Sequence, residues 1–94
     1  VGREEVGGVI GSRVGGIRVE GHTDARQFAP GTSDNWQLSS DRARAAYYML
    51  VRGGVPEQRF RAVTGKADRD LAEPDDPLSA RNRRIDIMLE LGEP

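Results

Sequence analysis

Two residues of opposite charge could together bind a ligand. Asp24 follows the alternating run 16–21, and Arg42 lies at the start of a predicted helix. The stretch between them, 26–34, contains Pro, Gly, Thr and Ser, which is a loop composition. An arginine can donate two parallel hydrogen bonds to an anionic group, and a carboxylate accepts them from a cationic one. Asp24 and Arg42 are therefore predicted to form the two sides of a ligand clamp.

A strand and a helix are predicted to position this pair. In the run 16–21, apolar and charged residues alternate, which indicates a strand with one buried face. Ser39 and Ser40 are candidate N-caps for the helix, and Arg42 would then lie in its first turn. Gly53-Gly54 is expected to end the helix.

Two further strands complete the predicted fold. Residues 60–64 form a short one, and the alternation over 85–91 is the clearest in the chain. A strand, helix and strand in this order favour parallel pairing of the first two strands. We therefore predict an α/β (α+β) sandwich with helices on one face of a small mixed sheet. Residues 1–94 are expected to be a single domain, with the glycine-rich segment 1–16 as an incomplete or irregular first helix.

Composition excludes several classes of function. The 14 basic and 15 acidic residues are interspersed and the net charge is -1, which argues against a nucleic-acid surface. Without cysteine there are no disulfides, thiolate chemistry or cysteine-ligated zinc. No apolar run approaches the ~20 residues that cross a bilayer. Any membrane anchor of the parent protein is expected outside these residues.

Catalysis finds little support in the sequence. His22 and Asp24 could be two metal ligands or an acid/base pair, but zinc sites usually need a third protein ligand and there is no other histidine or cysteine. Carboxylate pairs from Asp24, Asp34 or Asp41 are possible by spacing alone, and no serine lies in a nucleophile elbow. We therefore predict no catalytic residue, no metal and no cofactor.

Four motifs carry a resemblance to a known family. Their order and spacing resemble the OmpA-like peptidoglycan-binding domain along roughly residues 5 to 91, and most closely the periplasmic domain of MotB-type flagellar stator proteins. The segment 1–16 departs from the family's first helix. The motifs are Gly21-His22-Thr23-Asp24, Asn35-Trp36-Gln37-Leu38-Ser39, Arg42-Ala43 and Asn82-Arg83-Arg84-Ile85.

The resemblance implies a βαβαβ-type fold and non-covalent binding of the peptide stem of peptidoglycan. The side-chain end of its diaminopimelate residue carries an ammonium and a carboxylate, which Asp24 and Arg42 would bind. Thr23, Asn35 and Arg83 are expected at the same site. The implied role is anchoring of a flagellar stator complex to the cell wall, in the periplasm, as part of a protein held in the inner membrane. The implied partners are a second copy of the chain and a channel protein of the MotA type.

Each predicted site residue also has a structural interpretation. Asp24 could cap backbone N–H groups, and Arg42 could pair with Asp24 or Asp41. For Asn35 a loop-fixing role is equally consistent with the sequence, and His22 is expected to be structural. Arg83 and Arg84 could be solvated or lie at a sheet edge, and Trp36 is expected to anchor the loop rather than stack on a sugar. The alternative function is a protein-interaction or dimerisation module, or a wall anchor of another envelope complex, such as a type VI secretion or OmpA/Pal-type protein.

Overall fold

A computed structural model describes residues 14–27 and 34–91 of the chain. In order, the elements are strand β1 (Val14–His22), helix α1 (Asn35–Arg52), a 3-10 turn (Glu57–Arg59), strand β2 (Phe60–Gly65), a 3-10 turn (Ala80–Asn82) and strand β3 (Arg84–Leu91). Among these described elements, no helix is both long and apolar enough to cross a membrane.

The three strands form one mixed sheet in the order β2-β1-β3. β1 is central, parallel to β2 and antiparallel to β3. The predicted strands and the parallel pairing of the first two are thus confirmed. β1 begins earlier than expected, so 14–16 belong to a strand and not to an irregular helix. The rest of the expected first helix lies outside the described residues.

Helix α1 begins at a different residue from the one predicted. Asp34 is the N-cap, and its carboxylate accepts a hydrogen bond of 2.8 Å from the Gln37 N–H. The prediction of Ser39 or Ser40 as the N-cap was wrong, because an aspartate three residues before an available N–H caps equally well. Arg42 consequently lies about two turns into the helix. The predicted helix end is confirmed, with Gly53 as the C-cap.

One face of the sheet packs on α1. The buried core consists of Ile17 and Val19 from β1, Ala43 from α1, and Val55. Gly21 and Gly65 are register partners on neighbouring strands, on the side that faces α1. A Cβ at Gly21 would overlap the Ser39 carbonyl oxygen, and one at Gly65 would overlap the Ser40 side chain. Glycine at both positions lets the helix backbone lie directly on the strands. This contact fixes the position of the following helical turn, which contains Arg42.

Candidate ligand-binding site

The end of β1 is tied to α1 through Ala67. The buried Ser39 hydroxyl donates to the Trp36 carbonyl and accepts a 2.9 Å hydrogen bond from the Ala67 N–H. The Ala67 carbonyl in turn accepts from the Thr23 N–H at 2.9 Å. Ala67 holds a positive φ of 52°, which costs free energy for a residue with a Cβ. These hydrogen bonds fix Thr23 and Asp24 relative to the helix.

Asp24 is a buried carboxylate that accepts two hydrogen bonds. Its Oδ1 accepts from the Arg26 N–H at 3.0 Å, and its Oδ2 accepts from Arg83 Nη1 at 2.7 Å. Burial alone would raise the pKa of Asp24, but the hydrogen bonds from Arg83 and Arg26, together with their positive charges, outweigh it and hold the pKa below its ordinary value. Asp24 is therefore ionised at neutral pH.

Arg42 does not bond to Asp24. Its Nη1 donates to the carbonyl oxygen of His22 at 3.4 Å, and no carboxylate in residues 14–27 or 34–91 forms an ion pair with it. Neither alternative partner that the sequence offered, Asp24 or Asp41, is used. Arg83, 41% exposed, is instead the partner of Asp24. The guanidinium of Arg42 thus keeps most of its donors for other groups.

A pocket of about 330 Å³ contains both members of the predicted clamp. Three arginines and one aspartate among the described lining residues leave two formal positive charges. Arg42 and Arg83 also line an adjoining pocket of about 470 Å³ between α1 and β3. The first pocket is lined by Asp24, Arg26, Asn35, Leu38, Arg42 and Arg83. This lining suits a ligand group that carries both a carboxylate and a cation.

The other two predicted site residues are buried. Thr23 does not line the pocket, and its hydroxyl donates to the Asp24 carbonyl at 2.9 Å. Asn35 lines the pocket, and its side-chain amide donates to the Arg26 carbonyl at 2.9 Å and to the Asp24 carbonyl at 3.5 Å. Asn35 thus joins the start of α1 to the loop after β1. Four of the five predicted site residues line one pocket, while Thr23 donates a hydrogen bond to the backbone of Asp24.

Sequence reasoning missed Arg26 and Leu38, which complete the described lining. An aspartate carboxylate commonly accepts a hydrogen bond from the N–H two residues later, in an Asx turn, so Arg26 could have been found from its spacing to Asp24. Leu38 was missed because an apolar side chain in a helix gives no signal of a binding role. Trp36 is 49% exposed, and the Arg69 guanidinium lies 5.7 Å from its ring centroid, so it packs under a cation at the surface rather than in the core.

The charge on Asp24 makes a testable contribution to stability. Because folding lowers its pKa below 3.8, the contribution is complete well above pH 3.8 and is lost as the pH falls through the folded-state value. We expect the difference in free energy of unfolding between wild type and Asp24→Asn to shrink between pH 6 and pH ~2.5. Urea unfolding at both pH values measures it. Asp41→Asn, at an exposed helix position, is the control. A difference that stays constant with pH would contradict the role of the charge.

Comparisons with known proteins identify the family. The model of the OmpA family matches residues 11–84, well over half of the chain. The chain belongs to the OmpA family. This confirms the resemblance inferred from the four motifs, of which three lie within the matched segment and the fourth, 82–85, extends one residue beyond it.

Relatives of this OmpA family domain include flagellar proteins of Escherichia coli. The chain is 42% identical over 73 residues to a putative truncated flagellar export/assembly protein, LafU, of strain K12, and 36% identical over 75 residues to Motility protein B of the same strain. Each match covers 78% of the chain but only 35% and 24% of the relative. The chain therefore spans about a third or less of the curated relatives that it matches.

Solved structures show the same fold. The C-terminal domain of Helicobacter pylori MotB superposes with a TM-score of 0.75 at 19% identity, covering 97% of this chain and 72% of that one. The periplasmic domain of the same protein gives a TM-score of 0.73 at 23% identity and is covered to 66%. The predicted small mixed sheet with helical packing is confirmed as that of an OmpA family domain, and the predicted likeness to MotB-type proteins is confirmed with it.

Proposed function

We propose that this domain binds peptidoglycan non-covalently, through the zwitterionic side-chain end of a diaminopimelate residue in the peptide stem. The observation that carries the proposal is the pocket in which a buried, ionised Asp24 lies with three arginines. A neutral sugar needs no such set of charges. A group with both an ammonium and a carboxylate matches it.

Asp24 is assigned to the ammonium. A carboxylate offers about four lone-pair sites, and the two hydrogen bonds from Arg26 and Arg83 leave acceptor capacity on each oxygen. Because those bonds fix the carboxylate in place, it is already oriented for a cation at the pocket wall. The side chain itself is only 7% exposed, so the ammonium would reach it through the pocket and not from open solvent.

Arg42 is assigned to the carboxylate. Its only hydrogen bond within the described residues is the long one to the His22 carbonyl, so binding an anion breaks no ion pair there. The planar guanidinium can donate two parallel hydrogen bonds to a carboxylate, which the point charge of lysine cannot do. Arg83 holds the Asp24 carboxylate by a hydrogen bond and adds positive charge to the pocket.

The expected affinity is modest. A charge-assisted hydrogen bond contributes roughly 1.5 to 3 kcal/mol, and a micromolar dissociation constant corresponds to about -8 kcal/mol. Two such interactions with apolar contact from Leu38 would support binding of micromolar class. That is sufficient when many copies bind one polymer, because tethered sites gain avidity.

The relatives also support a wider role. We propose that the domain anchors a flagellar stator complex to the cell wall in the periplasm, as part of a protein held in the inner membrane, acting as a homodimer with a MotA-type channel partner and without catalysis. The names "Motility protein B" and "periplasmic domain" of the relatives support this assignment. Anchoring of another envelope complex would use the same pocket.

A pair of peptides tests the ligand. One is a stem peptide that ends in diaminopimelate, and the other carries lysine at that position, which keeps the ammonium and lacks the carboxylate. We expect the lysine peptide to bind about 10-fold more weakly in calorimetry, the lower end of the loss for one charge-assisted contact. Equal affinities would refute the assignment of Arg42 to a carboxylate, and binding of neither peptide would refute the proposed ligand.

A further inference from the structure

The imidazole of His22 is enclosed by protein but makes no hydrogen bond. Its side chain has no exposed surface, and both ring nitrogens lack a hydrogen-bond partner among the described residues. Nε2 lies 3.3 Å from Oδ2 of Asp86 and 3.5 Å from Oε1 of Glu20, in a geometry that forms a hydrogen bond with neither. A buried polar atom without a partner is destabilising, because it loses its hydrogen bonds to water and gains none in the protein. Hydrogen bonding therefore does not explain why His22 is buried beside these two carboxylates.

Strand pairing creates this cluster. Glu20 and His22 are two residues apart on β1, so they lie on one face of the sheet, opposite to Ile17 and Val19 of the core. Asp86 is the register partner of Glu20 on the antiparallel strand β3. Like charges directly opposite each other on neighbouring strands are destabilising. A cation between the two carboxylates and the imidazole would stabilise this arrangement.

We propose that Glu20, His22 and Asp86 bind a divalent transition-metal ion of the zinc class. Imidazole nitrogen and carboxylate oxygen are established zinc ligands at about 2.0–2.2 Å. Ligands at the corners of a tetrahedron of that size lie about 3.4 Å apart, which the two contacts of Nε2, 3.3 and 3.5 Å, match closely. All three ligand atoms lie within 4.8 Å of one another.

The fourth position of the site faces solvent. The side chains of Glu20 and Asp86 are 21% and 37% exposed, so an ion can enter from the open face of the sheet and keep a water molecule. His22 closes the inner side. Three protein ligands with one open position is a known zinc arrangement.

Two cations support the carboxylates and limit the affinity. Lys66 Nζ lies 3.7 Å from Oε2 of Glu20, the oxygen that does not face His22. Arg84 Nε lies 3.1 and 3.2 Å from the two oxygens of Asp86, while its Nη2 donates to the Asp70 carbonyl. Such outer hydrogen bonds orient metal-binding carboxylates. Because they also offset part of the negative charge, we expect weaker binding than in a four-ligand structural zinc site.

The cation site and the ligand pocket meet at one residue. The carbonyl oxygen of His22 accepts the hydrogen bond from Arg42, whereas its imidazole faces the carboxylates. A metal ion held by the imidazole would fix the end of β1 from the face opposite to α1. Since an ion that binds only the folded chain adds to its stability, the domain should unfold at a higher temperature with the metal. This inference does not depend on which ligand the pocket takes.

The test is titration of the metal-free 94-residue chain with Zn²⁺ by calorimetry and with Co²⁺ by visible absorption. We expect one ion per chain, the intense visible bands of tetrahedral Co²⁺, and a raised unfolding temperature. Asp86→Asn and Glu20→Gln should each weaken binding by at least about 10-fold, since loss of even an outer contact costs that much. Glu90→Gln is the matched control, because Glu90 lies on β3 and is ion-paired with Arg18, away from the cluster.

Two outcomes would overturn the proposal. One is the absence of saturable binding by the wild type. The other is equal affinity in wild type, Asp86→Asn and Glu90→Gln, which would place the ion elsewhere. Circular dichroism identifies any variant that does not fold. Asp86 is the more exposed carboxylate, so Asp86→Asn decides the question if Glu20→Gln fails to fold.

Discussion

Replacement of Arg42 with alanine is expected to weaken binding of peptidoglycan by about 10- to 100-fold, the loss of one charge-assisted pair of hydrogen bonds of roughly 1.5 to 3 kcal/mol. The fold should survive. Within the described residues, Arg42 makes one hydrogen bond of 3.4 Å to a backbone carbonyl and no ion pair, so its contribution to stability is expected to stay below about 1 kcal/mol. Co-sedimentation with insoluble peptidoglycan measures binding, and thermal unfolding measures stability.

Two variants on the same helix make this experiment specific. Arg44→Ala removes an equal charge from an exposed position outside the pocket and should bind as the wild type does. Arg42→Lys keeps the charge and removes the planar fork, so its binding should lie between wild type and Arg42→Ala. Unchanged binding of a folded Arg42→Ala protein would disprove the clamp. A loss of folding would show that the arginine is mainly structural.

Local patterns predicted the strands and the end of the helix, because each depends on neighbours in sequence. Alternation located β1 and β3, and Gly53-Gly54 located the helix end. The predicted helix start was wrong because Asp34 and the two serines are all good N-cap residues, and the structure uses Asp34, while Ser39 lies inside the helix with its carbonyl oxygen against Gly21. That contact joins distant parts of the chain, which periodicity cannot show.

Sequence reasoning named four residues that the structure brings to one pocket, but it did not give the pairing among them. The resemblance brought Asp24, Arg42, Asn35 and Arg83 together, and the structure places all four at one pocket. Arg83 pairs with Asp24, while Arg42 has no ion-pair partner among the described residues. This pairing depends on how the end of β1 approaches the residues before β3. Antiparallel register likewise places Asp86 opposite Glu20 and close to His22, whereas sequence spacing alone suggested Asp24 as the residue that could act with His22.

Replacement of Gly21 with alanine is expected to destabilise the fold by about 3 kcal/mol, the upper part of the range for overpacking. The added Cβ would overlap the carbonyl oxygen of Ser39, a backbone atom of α1 that cannot rotate away. Relief requires the helix to move off the sheet, which also strains the hydrogen bond from Ala67 to the Ser39 hydroxyl. A loss of this size should lower the unfolding temperature by roughly 12–24 °C in a domain of this length.

Gly16→Ala on the same strand is the matched control. Its added Cβ would meet the side chains of Arg61 and Glu90, which can rotate, so the unfolding temperature should fall by only a few degrees. Equal losses in the two variants would contradict the special role of the contact between Gly21 and the backbone of α1, because backbone entropy alone makes a change from glycine to alanine stabilising. A specific effect at Gly21 would instead show that close packing of α1 on β1 contributes to stability, and an outward shift of α1 would also carry Arg42 away from Asp24. Gly21→Ala that still folds at low temperature should then lose peptidoglycan binding even though no residue of the pocket has changed.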